Sequence, residues 1–415
     1  MRRVFARLKK KRRGWFFIFP LLIVVAAIVF RSVSPNGFAE AASFLFRGPT
    51  PTPDSPPPVM TLEPAILAVP TSELFSLPVW ASPTPLPLLS ASIPGQFSVQ
   101  NITLGQATPL NAGLTNHFGH VAWSPDGQLL AFSLSKGRIN AGGWTLTDIA
   151  LVSAEGKDVQ NLAPGFIPKW SPDGNLIAYL AYSDDLTNLY VRVVDVESRQ
   201  VTEVTSIQRD GVFPILAWLS ATELLYFQDA LMLFDYATGQ KSKLLESAPS
   251  VSVITTETPL KYLATDPEQG LIVAASKEVI LILQRDGKGI HLLKQLPEGV
   301  DNEAMAISPD GSALVYVSAV SQQVKIVPTR GDAPAVELPW ASRGTAWSVV
   351  WSPDGASLVY VDADGVHMVN RDGSGLRSAQ ELLQGILHVA WSPRGSPLIL
   401  SQDTGLLLSL PVSVK

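Results

Sequence analysis

The sequence contains no cysteine, and only 16% of its 415 residues are charged. In soluble proteins the charged share is usually about a quarter. Without cysteine, the chain can form neither a disulfide framework nor a thiolate metal site, and it has no cysteine nucleophile. Hydrophobic residues make up 46% of the chain. This share excludes a fully disordered protein, because disorder requires low hydrophobicity and high net charge.

Acidic residues are absent from the first 31 residues, which hold nine basic residues: Arg2, Arg3, Arg7, Lys9, Lys10, Lys11, Arg12, Arg13 and Arg31. The rest of the chain therefore has 22 basic and 36 acidic residues, and its net charge is −14. An acidic body repels the phosphate backbone of a nucleic acid. We therefore expect no nucleic-acid partner.

An uncharged run from Gly14 to Phe30 follows the basic tail. As a helix it would span about 25 Å, close to the roughly 30 Å of a bilayer hydrocarbon core. By the positive-inside rule, we expect a cytoplasmic tail at 1–13, a transmembrane signal-anchor helix at 14–31 and a body outside the cytoplasm. A cleaved signal peptide is the alternative, because Ala39-Glu40-Ala41 has the form of a cleavage site. The body would then be secreted or periplasmic.

Residues 32–96 are predicted to form a linker rich in proline, threonine and serine. The stretch from Gly48 to Gly95 holds 13 of the 33 prolines. Proline removes backbone donors and favours extended segments, so this stretch is typical of a semi-rigid spacer.

Near-verbatim repeats begin after the linker and predict the fold of residues 97–415. Five copies share a Ser-Pro-(Asp/Arg)-Gly turn between two apolar strands, and two weaker copies start at Leu216 and Tyr262. Seven units of 40–48 residues predict an all-β, seven-bladed β-propeller with four strands per blade. Six blades is the fallback if the Tyr262 unit is not a blade. The last unit supplies three strands, so we expect its outer strand to come from about Phe97–Leu110.

The repeated turn explains which residues recur. Proline presets the turn, aspartate hydrogen-bonds the backbone that follows, and glycine accepts a positive φ. Tryptophans at one repeat position could stack on carbohydrate, but their spacing favours packing between blades. The predicted structural positions are Trp123, Asp126, Gly127, Trp170, Asp173, Gly174, Trp218, Asp310, Gly311, Trp351, Asp354, Gly355 and Trp391.

The Trp-Ser-Pro-Asp-Gly motif, followed by a Leu-Ala-Phe or Leu-Val-Tyr strand, resembles the TolB-type propeller repeat, a relative of WD-type repeats. The resemblance covers about residues 97–415 and implies a propeller fold. It implies no activity, because propellers host many unrelated functions. The resemblance implies an α/β domain before the propeller, as in TolB, whereas this chain is predicted to have an anchor and a linker there, so we carry over no role.

Catalytic and cofactor motifs are not found. There is no Gly-x-Ser-x-Gly elbow, no His-Glu-x-x-His and no phosphate-binding loop. His117 and His120 form His-x-x-His, which would need further ligands to hold a metal. His120 and His388 occupy matching repeat positions, which could bring them together near the central channel. Asp362-Ala-Asp364-Gly365 resembles a calcium-loop fragment but favours a turn, because the further ligands are missing.

Aromatic and polar residues outside the repeat template are the candidates for partner contact, because binding residues are often placed on loops of a rigid scaffold. They are Trp144, Tyr182, Asp184, Trp340 and Trp347. We therefore expect a non-enzymatic module, tethered to the membrane, that binds an envelope protein or glycan without a metal or cofactor. The alternative is a propeller hydrolase or lactonase with its site in the central channel.

Overall fold

The computed structural model describes residues 96–110, 113, 120–139, 145–183, 185–208, 216–228, 230–244, 262–287, 289–338, 346–379 and 385–415. The predicted anchor at 14–31 lies outside the described residues, as does the predicted linker at 32–96 apart from Gln96. Within the described part of the chain, no helix is long and apolar enough to cross a membrane.

The described residues form β-strands grouped in blades that follow the repeats. Strands β1 (Ile102–Leu104) and β2 (Thr108–Pro109) precede the first repeat. Blade 1 contains β3 (Val121–Trp123), β4 (Leu129–Ile139), β5 (Thr145–Ser153) and β6 (Gln160–Pro164). Blade 2 contains β7 (Phe166–Trp170), β8 (Leu176–Tyr182), β9 (Asn188–Asp195) and β10 (Val201–Gln208). Blade 3 contains β11 (Leu216–Trp218), β12 (Glu223–Phe227), β13 (Leu231–Asp235) and β14 (Lys241–Lys243).

The remaining blades continue the same order. Blade 4 contains β15 (Tyr262–Asp266), β16 (Leu271–Ala275), β17 (Ile280–Asp286) and β18 (Gly289–Leu296). Blade 5 contains β19 (Val300–Ile307), β20 (Ala313–Ser318), β21 (Val324–Pro328) and β22 (Val336–Glu337). Blade 6 contains β23 (Ser348–Trp351), β24 (Ser357–Asp362), β25 (Gly365–Asn370) and β26 (Arg377–Ala379). The last strands are β27 (Ile386–Trp391), β28 (Leu398–Gln402), β29 (Leu407–Leu410) and β30 (Val412–Val414).

The strands pair into seven four-stranded antiparallel sheets, and this confirms the seven-bladed propeller. Each of the first six sheets uses four consecutive strands, whereas blade 7 has the order β2-β29-β28-β27. The degenerate unit at Tyr262 is a full blade, β15 to β18, so the six-bladed fallback is excluded.

The ring closes as predicted, with an early strand completing the last blade. In the register, Thr108 faces Ser409 and Pro109 faces Leu408. Pro109 is tolerated because β2 is the outermost strand of its sheet, where a missing backbone N–H leaves no ladder bond unmade.

The hydrophobic core is divided among the blade interfaces. Seven clusters of buried side chains each join two neighbouring blades, including one between blade 7 and blade 1. The second strands β16, β20 and β24 are buried along their whole length, while the outermost β14 is exposed. Long apolar runs in the second strands thus follow from burial on both faces of each sheet.

The blades define two faces of the propeller. The first strands of neighbouring blades lie side by side around a central channel. Because neighbouring strands in a blade are antiparallel, the connections between strands 1 and 2 and between strands 3 and 4 emerge on one face. We call it the turn face, since it carries the Ser-Pro-Asp-Gly turns. The opposite loop face carries the connections between strands 2 and 3 and those from one blade to the next.

The segment before β1 crosses the turn face of blades 6 and 7. The Phe97 N–H donates to Oδ2 of Asp354 at 2.9 Å, and its ring lies edge-on to Trp391 with centroids 5.8 Å apart. The Val99 N–H donates to Oδ1 of Asn370 at 2.8 Å. Phe97 and Val99 are therefore fixed on the turn face.

A second pairing of distant strands lies beside the closure strand. β1 pairs with β30 in an antiparallel two-stranded sheet, with Ile102 facing Val414. The Lys415 N–H donates to the Asn101 carbonyl at 2.7 Å, and Arg377 donates to the Ile102 carbonyl at 3.0 Å. The sequence predicted one strand exchange between the ends of the propeller, and the structure contains two.

Candidate functional site

The repeat tryptophans lie at the blade interfaces. The indole Nε1 of Trp170 donates to the Ala122 carbonyl at 3.1 Å, and that of Trp218 donates to the Lys169 carbonyl at 2.9 Å. Trp123 and Trp351 make the equivalent bond to the preceding blade. The acceptor is each time the residue before the equivalent position of that blade, so these indoles tie successive inner strands together.

The repeated aspartates are bound within their own turns. Ser124 Oγ donates to Asp126 Oδ1 at 2.6 Å, and the same bond closes the turns at Asp173, Asp310 and Asp354. Burial acts to raise the pKa of Asp310, but hydrogen bonds from Ser308, Ser312 and Arg371 outweigh it and hold that pKa below its usual value. These carboxylates therefore order the turns.

Two of the five candidate binding residues have described surroundings. Tyr182 is the last residue of β8, and its ring stacks on Phe166 with centroids 4.8 Å apart. Trp347 precedes β23, and its indole donates to the Ile386 carbonyl at 3.0 Å, which links blade 6 to blade 7. Trp144, Asp184 and Trp340 lie outside the described residues.

The loop face is the side on which the candidate segments are attached. Tyr182 leads from a second strand into a turn in which Ser183 Oγ donates to Asp185 Oδ1 at 2.6 Å. This bond and those from Thr187 lower the pKa of Asp185 to about 2. The strands that flank 140–144 and 339–345 also end toward this face, by the antiparallel order of their blades. Val320, on the strand 2–3 turn of blade 5, is 77% exposed.

The central channel contains a cavity of about 440 Å³. Its described lining comes from blades 1, 2, 5, 6 and 7 and consists of apolar side chains, serines, two histidines and one lysine: His120, Val121, Trp123, Ser124, Pro125, Pro168, Lys169, Met305, Trp347, Ser348, Val349, Val350, His388, Val389, Ala390, Trp391 and Pro393. Cavities of this size are typical of small-molecule sites.

His120 and His388 meet in the channel, where blade 1 adjoins blade 7. Their ring centroids are 4.3 Å apart and the rings are tilted by 47°. Burial, and to a smaller extent the charge of Lys169, lower the pKa of His120 to about 3. The imidazole of His120 is therefore neutral at physiological pH. His117, the other half of the His-x-x-His pair, lies outside the described residues.

Lys169 is not among the residues predicted from the sequence, although an alignment of the repeats distinguishes it from the other blades. It precedes the repeat tryptophan of blade 2, and the residue at that position is alanine or valine in most other blades: Ala122, Ala217, Ala306, Val350 and Ala390. A charged residue at a position of the inner strand that is otherwise small and apolar indicates a side chain that lines the channel.

A buried Ser–His–Asp chain in blade 6 follows the design of other blades. His367 Nε2 lies 2.8 Å from Asp362 Oδ1, and His367 Nδ1 lies 2.8 Å from Ser378 Oγ. The same cross-strand row of tyrosine, basic residue and hydrogen-bonding residue recurs in three blades, as Tyr179–Arg192–Glu203, Tyr316–Lys325–Glu337 and Tyr360–His367–Ser378. The recurrence identifies the row as a structural feature of the blades.

Metal ligation finds no support in the described part of the chain. No group of three or more histidine or acidic side chains there is placed to hold an ion. Asp362, from the calcium-loop fragment, accepts hydrogen bonds from the Asp364 N–H at 2.8 Å and from His367, as expected for a turn residue.

Comparisons with known proteins identify the fold and no family. No protein-family model matches the chain, and no curated protein matches it in sequence. A chain of the mitotic checkpoint complex is similar in structure, with a TM-score of 0.51 and 15% identity over 74% of this chain and 94% of that one. The Cps50 (Swd1) β-propeller domain of Myceliophteria thermophila matches with a TM-score of 0.56 and 12% identity over 75% of this chain and all of that domain.

Matches of this kind are numerous. Solved structures contain 1317 chains that match this one in structure, so the fold alone selects no activity among them.

Proposed function

We propose that this protein is a membrane-tethered, extracytoplasmic propeller that binds a protein or glycan partner through its loop face and performs no catalysis itself. The observation that carries the proposal is that the segment before β1 and the candidate binding segments attach to opposite faces of the propeller. Phe97 and Val99 bind the turn face of blades 6 and 7, whereas the strands that flank the candidate binding segments end toward the loop face.

The similar structures favour a scaffold role. One of them belongs to a multiprotein assembly, the mitotic checkpoint complex. Rigid blades joined by seven apolar interfaces can present loops in a fixed arrangement, as such a role requires. The Ser-Pro-Asp-Gly repeats, which resemble those of TolB-type proteins, are consistent with an envelope location.

The membrane arrangement can be tested by labelling, since the natural chain has no cysteine. A cysteine introduced by Val320→Cys is expected to react with a membrane-impermeant maleimide in cells whose cytoplasmic membrane is intact. A cysteine introduced by Ala6→Cys, in the basic tail, is expected to react only after lysis. Labelling of both or of neither before lysis would contradict the tethered, extracytoplasmic arrangement.

The binding face can be tested by capture with the full chain from an envelope extract. We expect the triple variant Trp144→Ala, Val320→Ser, Trp340→Ala to lose at least tenfold of the captured partner. The matched control is Val159→Ser, Val201→Ser, which alters two exposed valines beside strand 3–4 turns on the turn face. Trp347 is left intact because it links two blades. Equal capture by both variants would refute binding through the loop face.

The hydrolase alternative predicts a different result. Esterase, lactonase or glycosidase activity of the full chain would have to disappear on changing His120 or His388 and survive the loop-face variant. We expect neither the natural protein nor the loop-face variant to turn over any of these substrates.

A further inference from the structure

The whole sequence contains one motif for N-linked glycosylation. Of its ten asparagines, Asn101 alone is followed at the second position by serine or threonine, in Asn101-Ile102-Thr103. The Asn-x-Ser/Thr pattern accepts N-linked oligosaccharides when the middle residue is not proline and the motif lies on the surface of a protein outside the cytoplasm. Isoleucine in the middle meets the first condition, and the fold decides whether the motif is at the surface.

The motif lies in a surface turn that leads into β1. The Asn101 N–H donates to the Ser98 carbonyl at 2.9 Å. Asn101 and Thr103 are exposed, whereas Ile102 between them is fully buried against blades 6 and 7. Successive side chains of an extended segment lie on opposite sides, so the buried isoleucine places its two neighbours on the solvent side. An oligosaccharide on Asn101 therefore extends into solvent without displacing the core.

Contacts that fix this segment come from the C-terminal end of the chain. The Asn101 carbonyl accepts a hydrogen bond from the Lys415 N–H at 2.7 Å, and the Val99 N–H donates to Asn370. β1 pairs along its length with β30, the final strand. The motif therefore takes up these contacts only when the final strand is in place. A membrane-bound transferase that acts before the ring closes meets the motif in an unpaired segment.

The motif and the candidate binding segments are on opposite sides of the propeller. Phe97 and Val99, which precede the motif, are bonded to blade 6 on the turn face. β30 follows β29, and β29 ends toward the turn face by the antiparallel order of its blade. An oligosaccharide at Asn101 therefore leaves the loop face open to a partner.

We propose that Asn101 is a modification site that carries an N-linked oligosaccharide, transferred from a lipid-diphosphate carrier outside the cytoplasm. The new bond joins Nδ2 of Asn101 to the anomeric carbon of the sugar. The bond from that carbon to the diphosphate breaks, and the proton lost from Nδ2 passes to solvent. Thr103 supplies the hydroxyl that completes the motif. This inference rests on the extracytoplasmic location proposed above.

The modification can be measured on the full chain, purified from the membranes of cells that make it. Peptide mass spectrometry is expected to find the peptide containing Asn101 with the added mass of an oligosaccharide. An amidase specific for N-linked sugars is expected to remove this mass and to leave aspartate at position 101. Sugar that resists the amidase would be attached in another way and would contradict the assignment.

Substitutions within the motif identify the acceptor. Asn101→Gln and Thr103→Ala are each expected to lower the glycosylated fraction at least tenfold, because one removes the acceptor and the other removes the hydroxyl. Thr103→Ser preserves the motif and is expected to keep the sugar. The matched control, Asn175→Gln, alters an exposed asparagine outside any such motif and should be glycosylated as the natural protein is. Thermal unfolding of each variant shows whether it is folded.

The inference fails if Asn101 carries no sugar in the natural protein, or if Thr103→Ala is glycosylated as fully as Thr103→Ser. The labelling experiment with Val320→Cys distinguishes the reason. If that cysteine reacts in intact cells while Asn101 is unmodified, the extracytoplasmic location stands and the glycosylation inference alone is wrong. If the cysteine is protected until lysis and Asn101 is unmodified, the location is wrong as well.

Discussion

Replacing Phe97 by alanine is expected to lower the free energy of unfolding by about 3–5 kcal/mol, the usual cost of truncating a buried phenylalanine. Its side chain is 7% exposed and lies against Trp391 and Gly395, between the N-terminal segment and blade 7. The surroundings cannot collapse into the vacated space, since the Phe97 backbone is fixed by Asp354 and by Ser357 Oγ. Chemical denaturation of the full chain measures the loss.

The matched control is Val414→Ala, on the strand that pairs with β1. Val414 is 40% exposed, so the variant should unfold within about 0.5 kcal/mol of the natural protein. If Phe97→Ala were equally mild, the contacts of Phe97 with blade 7 would not stabilise the folded ring.

Acidification is expected to destabilise the propeller through His120. Its pKa is about 3 in the folded protein against 6.5 for the exposed side chain. As the pH falls below 6.5, the unfolded chain takes up a proton that the folded chain does not, so stability is lost until the pH reaches about 3. The slope is about 1.4 kcal/mol per pH unit, which amounts to roughly 3 kcal/mol between pH 6.5 and pH 4.

The variant His120→Gln removes this contribution. Its unfolding free energy, measured by urea denaturation from pH 7.5 to pH 4, should fall by about 3 kcal/mol less than that of the natural protein. Val414→Ala, which alters an exposed side chain and removes no titratable group, should keep the natural slope. Identical pH profiles for all three proteins would show that His120 becomes protonated without hindrance. The neighbouring charge of Lys169 contributes as well, so Lys169→Gln should flatten the profile slightly.

The propeller could be predicted because its local signals repeat. A Ser-Pro-Asp-Gly turn fixes one hairpin, and five copies place five blades without any knowledge of tertiary contacts. The blade at Tyr262 lacks both the tryptophan and the serine turn, yet it forms because its second strand, Leu271–Ala275, is entirely buried between neighbours. There the Thr265 hydroxyl donates to the Trp218 carbonyl at 2.7 Å and takes over the link between blades.

The features that escaped prediction depend on contacts between distant parts of the chain. The pairing of β1 with β30 joins short strands whose sequences carry no turn or repeat signal. The proximity of His120 and His388 was suggested by repeat position, but the closeness of the two rings follows from the closure of the ring. Lys169 stands out only in an alignment of the inner strands, in which most other blades have alanine or valine at its position.

Closure by β2 has a consequence for the time course of synthesis. β2 leaves the ribosome early, whereas its partner β29 follows about 300 residues later. At roughly 5–20 residues per second, this interval is on the order of 15–60 s. From the completion of blade 1 to the end of this interval, the side of blade 1 that blade 7 covers, including Leu130 and Phe132, has no partner. The nascent propeller therefore exposes an aggregation-prone apolar surface during most of its synthesis. Chaperones that shield such surfaces must act before the last blade is made.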